Sequence, residues 1–123
     1  MAGQLERATT GAHGIFGELF ALFAIKDVYQ AETLSGTATL SDKYPAIVGF
    51  DPGGAHRDVT LDAEATAKGM VRLILNKADA GENLVIKADG GATIATANQS
   101  EAALLYCDGT DWALCAIFTI AIA

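Results

Sequence analysis

The sequence predicts a mainly β protein, a small antiparallel β-sandwich or barrel preceded by an N-terminal arm or short helix. Three observations carry this. Between Asp51 and Trp112 the chain reads as short apolar segments separated by Gly, Asp and Asn. Those segments recur at roughly ten-residue spacing, which suits a sandwich or barrel. Near the end, Asp108-Gly109 stands between LLYC and TDWALCAIF, and Asp-Gly tolerates the positive φ that a hairpin turn needs.

Taken in order, residues 1–26 read as an arm and 27–123 as one β domain. Residues 1–12 are small and polar, without periodicity. In HGIFGELFALFAIK (13–26), Phe16, Leu19, Phe20 and Phe23 fall at i, i+3, i+4 and i+7, one face of a helix, with Ile15 beside them. Gly14 and Gly17 weaken a helix there, and an extended segment, apolar on both sides, is the alternative. Three phenylalanines in so short a run need a partner surface. That surface is either the domain of the same chain or another protein, so Ile15, Phe16, Leu19, Phe20 and Phe23 are candidate docking residues.

Segments VYQAETL, TATL and AIVGF follow, with turns at Ser35-Gly36 and Ser41-Asp42. DPGGAH (51–56) is a loop, because Pro fixes φ and paired glycines permit a reversal. RDVTL (57–61) is a strand. DAEATAKG (62–69) suits one helical turn with Asp62 as N-cap and Gly69 ending it. MVRLILN (70–76) alternates Val71, Leu73 and Leu75 against Met70, Arg72 and Ile74, as a strand does. NLVIK, ATIAT and AALLYC are further strands before the last hairpin. The chain closes on Ala116 to Ala123 without a charged side chain. So apolar an edge strand invites aggregation. Ile117, Phe118, Ile120 and Ile122 are therefore expected to be buried on both faces or paired across a subunit boundary, and a homo-oligomer follows.

One hundred and twenty-three residues fit one domain. A net charge of −7, with basic residues scattered singly, disfavours nucleic acid and anionic membranes as partners. The N-terminus is too polar for a secretory signal, and the longest apolar run falls short of the ~20 residues a membrane helix needs. A cytoplasm-like compartment is the expected place of synthesis.

Chemistry is sparse. Cys107 and Cys115 flank the Asp-Gly turn, and the sequence leaves open a cross-strand disulfide or two separate thiols. His56 lies beside Asp58, a pairing that supports acid–base work, but no nucleophile stands in a recognisable motif; a solvated loop histidine is the simpler reading. The glycines at 51–54 and 89–91 lack the Lys/Ser pattern of a phosphate loop. Asp108 and Asp111 suit calcium only with a further oxygen ligand, and turn formation accounts for them. Tyr106 and Trp112 read as core or interface aromatics. No enzyme, cofactor or metal is expected.

The order DPGG, AHRDVTL, an Ala/Glu-rich step, KG, MVRLILN, NLVIK, GGATIAT and EAALLYCDGTDW resembles a module of tailed-bacteriophage structural proteins. In that module a V-T-L-P strand leads through an Ala-rich step and Gly to a strand ending in Asn, an L-V-I-K strand, a Gly-Ala-Thr-Ile turn and C-D-G-T-x-W. Here Asp62 stands where the module has Pro. The match covers 51–112, about half the chain, and the module occurs in head decoration proteins, head fibres and tail fibres alike. Short length, acidic surface, arm and apolar termini resemble a capsid decoration (cement) protein. The resemblance implies a homotrimer on the outer surface of the virion capsid, bound to the major capsid protein. A head- or tail-fibre component contacting the host is the alternative.

Overall fold

A computed structural model describes residues 28–121. Nine strands occupy them: β1 (Tyr29–Thr33), β2 (Ala38–Thr39), β3 (Ile47–Asp51), β4 (Arg57–Thr60), β5 (Val71–Asn76), β6 (Leu84–Lys87), β7 (Thr93–Ala97), β8 (Glu101–Cys107) and β9 (Trp112–Thr119). They form a five-stranded sheet, ordered β1-β3-β5-β8-β9, and a four-stranded sheet, ordered β2-β4-β6-β7. The mainly β expectation holds, as a sandwich of two open sheets and not as a barrel.

The pairing differs from the antiparallel expectation. β1–β3, β3–β5, β2–β4 and β4–β6 are parallel, whereas β5–β8, β6–β7 and β8–β9 are antiparallel. The cause is the path of the chain. From β1 to β6 it alternates between the sheets, so each strand returns to its own sheet running in the same direction as before. Parallel neighbours need a crossover, and here a strand of the opposite sheet supplies it. The turns at Ser35-Gly36 and Ser41-Asp42 and the 51–56 loop are therefore arches between sheets, whereas the expected Asp108-Gly109 hairpin joins β8 to β9. At the arch after β3, Gly53 has φ of 74° and Gly54 of 102°. A Cβ on Gly53 would lie 2.4 Å from the Leu34 carbonyl oxygen, so the neighbouring arch packs directly on bare backbone.

The core lies between the sheets. Val48, Phe50, Ile74 and Leu105 come from the five-stranded sheet, and Val59, Leu84, Ile86 and Ala97 from the four-stranded one. Burying each large aliphatic or aromatic side chain contributes about 1.5–3 kcal/mol. Trp112 closes one end and donates its indole N–H to the Asp62 carbonyl at 2.8 Å.

Asp62 is not the N-cap of a helical turn. The segment holds a short 3₁₀ turn at Glu64–Thr66, whose N-cap is Ala63 without a side-chain cap. The Asp62 carboxylate instead receives Arg72 in a two-pronged ion pair, Nε to Oδ1 at 3.0 Å and Nη2 to Oδ2 at 2.9 Å. Both residues are buried. Arg72 also donates to the carbonyls of Ser41, Tyr44 and Pro45, so every guanidinium N–H finds an acceptor. One inward-pointing arginine thus ties the 41–45 arch to the 62–69 arch. Asn76 works likewise: its amide donates to the carbonyls of Glu82 and Ala97 and its oxygen accepts from the Ala78 N–H.

Candidate assembly surface

β9 is the longest strand and forms an edge of the five-stranded sheet. One side of it pairs with β8; among the described residues no strand pairs with its other row of N–H and C=O groups. The strand carries no charge and no proline, two of the usual means by which an edge avoids other chains. A β-bulge is the exception. Leu105 pairs with Leu114 and Leu104 with Ala116, which leaves Cys115 as the extra residue.

Of the expected interface residues, Ile117 and Phe118 fall on this edge and Ile120 just beyond it. Ile117 and Phe118 are 38% and 43% exposed, and Leu114 is 39% exposed. Ile120 is half-buried and donates its backbone N–H to Ser100. Among the described residues, Ile117 and Phe118 are therefore not buried on both faces. Ile122 and the docking residues Ile15, Phe16, Leu19, Phe20 and Phe23 lie outside the described residues, as does the proposed 1–26 arm.

The hairpin tip explains its own chemistry. Asp108 Oδ1 accepts the N–H groups of Thr110 at 2.8 Å and Asp111 at 2.7 Å. The Asp111 and Thr110 backbone bonds hold its carboxyl below the ordinary carboxylate value. Its oxygens organise the turn, where Gly109 takes φ of 97°. Cys107 faces Trp112 across the hairpin, not Cys115. Both thiols are free, Cys107 buried and Cys115 exposed. Of the two aromatics, Trp112 joins the core while Tyr106 is exposed.

His56 and Asp58 do not pair. His56 Nδ1 accepts the Asn83 N–H at 2.9 Å, and Asp58 bonds Lys87 at 2.9 Å. Sequence reasoning missed one cluster: Asp51, Asp79 and Glu82 bring carboxylate oxygens within 4.8 Å of one another. Asp51 accepts the Gly53 N–H and Glu82 the Gly54 N–H, which accounts for two of them as braces of the arch after β3. An open groove of about 300 Å³ beside it is lined by Ala31, Glu32, Thr33, Gly49, Asp51 and Lys77. Among the described residues that line it there is no histidine, cysteine or serine. Among the described residues no helix is long and apolar enough to cross a membrane.

No protein family, curated protein or solved structure matches this chain.

Proposed function

We propose that the protein is a structural virion protein of a tailed bacteriophage, which binds the outside of the expanded capsid as a trimer and stabilises it. The observation that carries the reading is the β9 edge: long, uncharged, open along its backbone, and exposing Leu114, Ile117 and Phe118. Such an edge favours a second copy of the chain. The phage-module resemblance over 51–112 supplies the setting, with the major capsid protein as partner.

The mechanism is linkage. A protein that binds the expanded shell, but not its precursor or broken forms, shifts the equilibrium toward the expanded shell. A trimer that touches several capsid subunits gains further from multivalency, and many copies make a modest energy per site large over the whole shell.

Light scattering and shell binding test this. The wild-type chain should have the mass of a trimer, saturate expanded shells that lack it and raise their melting temperature. Ile117→Lys with Phe118→Lys should give a folded monomer that binds shells at least tenfold more weakly, about 1.4 kcal/mol. A wild-type monomer at tens of micromolar, or a trimer that ignores shells, would sink the proposal.

A further inference from the structure

The path of the chain matches the strands of the two sheets one to one. β1 connects to β2, β3 to β4 and β5 to β6, each across the sandwich, and β7 returns to β8. β9 is left over, because five strands stand against four. Its Leu114 and Ile117 pair with the core residues Leu105 and Ala103, so both turn toward the second sheet. They are nevertheless 39% and 38% exposed. β7, the last strand of the second sheet, pairs only with β6, and among the described residues no strand lies beyond it. The sandwich therefore ends in a step, with the inner face of β9 as its floor and the β7 edge as its wall.

Neither part of the step is guarded. β7 (TIATA) and β9 (WALCAIFT) lack charge and proline. The opposite side of the sandwich differs, since β1 contains Glu32 and β2 is only two residues long. Charges and short strands are means by which edges avoid other chains.

We infer that β9 of a second copy fills the step. It adds to β7 as a fifth strand of the smaller sheet, and its Leu114 and Ile117 pack on those of the first copy. This placement rests on the trimer of the proposed function and gives that trimer its contact. Symmetry favours the occupant. Edge-to-edge pairing of β9 with β9 is self-complementary and closes a dimer, whereas a closed three-fold ring needs two different surfaces that meet. The β9 and β7 edges are such a pair, close together on one side of the copy. Around the ring each copy gives β9 to one neighbour and takes β9 from the other, so both edges find hydrogen-bond partners. Charge favours it too. At −7 each, copies repel one another over most of their surface. Two uncharged strands bring no carboxylates side by side.

Hydrogen exchange on the full-length protein, without shells, tests the contact. In the wild type at tens of micromolar, β7 amides that point away from β6 should exchange at least roughly tenfold more slowly than in the Ile117→Lys, Phe118→Lys monomer. Should that variant not fold, cross-linking decides. Facing layers pack about 10 Å apart, too far for a disulfide but within reach of a short bismaleimide. Ile117→Cys in a Cys115→Ser background should therefore be joined between copies. A trimer whose β7 amides are as fast as the monomer's, or whose chains the bismaleimide leaves single, would overturn the inference and leave the trimer standing. So would β7 amides already slow in the monomer, which puts the same chain in the step, or slow only once shells are added, which puts the capsid protein there. A trimer with slowed β7 amides that ignores shells upholds the inference and sinks only the capsid reading.

Discussion

The two sheets of this sandwich treat polarity in opposite ways. The four-stranded sheet turns Val59, Leu84 and Ile86 inward and Asp58, Thr60, Lys87 and Thr96 outward. Its ion pair, Lys87–Asp58, sits at the surface with side chains 31% and 40% exposed. The five-stranded sheet turns Arg72 and Asn76 inward, and Ile47, Leu73, Leu75 and Leu104 outward. Its ion pair, Arg72–Asp62, is 1% and 6% exposed. The five-stranded sheet thus holds its charge pair inside and aliphatics on its outer face, whereas the four-stranded sheet holds its charge pair outside.

The strongest way to break this contrast is to disarm each ion pair in turn. Arg72→Met should cost about 3–5 kcal/mol in urea unfolding, since it strands the buried Asp62 carboxylate and frees three backbone carbonyls. Lys87→Met should cost no more than about 1 kcal/mol. Equal losses would mean that both pairs are equally solvated. Next in size is a charge on each outer face. Leu73→Lys should cost about 2 kcal/mol, the value of an aliphatic side chain kept from water, while Val85→Lys at a comparable central position should stay within about 0.5 kcal/mol. If thermal melts place the two variants together, the outer faces do not differ.

The smallest effect belongs to the β8–β9 tip. The folded pKa of Asp108 lies below its ordinary value of 3.8, owing to the backbone bonds from Asp111 and Thr110. The stabilisation it gives is fully present above that ordinary value. It is lost as pH falls through the lower folded value. Asp108→Asn should therefore narrow the gap between neutral and acid unfolding midpoints. An unchanged pH profile would remove Asp108 from the account.

Strand positions were legible in the sequence because alternation and Gly/Asp/Asn punctuation are local. RDVTL, MVRLILN, NLVIK and AALLYC all lie on strands within a residue or two of their expected bounds. Which sheet each strand joins was not legible, since Asp51-Pro52-Gly53-Gly54 reverses the chain equally well in a hairpin or an arch. Arg72 misleads for a related reason. Alternation in 70–76 fixes two faces but does not say which is inside, and a charged residue in a strand ordinarily marks the wet one. Only the folded arrangement shows five acceptors waiting for it, three of them carbonyls from the 41–45 arch. The candidate surface was half legible. The apolar character of Ile117 and Phe118 was plain, but that Ile117 turns toward the second sheet and Phe118 away from it follows only from the β8–β9 register.

The alternation of β1 to β6 between sheets also sets a timetable. The β6–β7 and β8–β9 hairpins join residues close in sequence, and such contacts form in microseconds. Each parallel pairing must instead wait until a strand of the other sheet and two arches have been laid down, which raises the entropic barrier. The hairpins should thus nucleate folding and the wound half should condense onto them, with β5 docking on β8 as the first non-local step. Pulse-labelled amides should gain protection in β8 and β9 before β1 and β3, and the reverse order would refute that sequence of events.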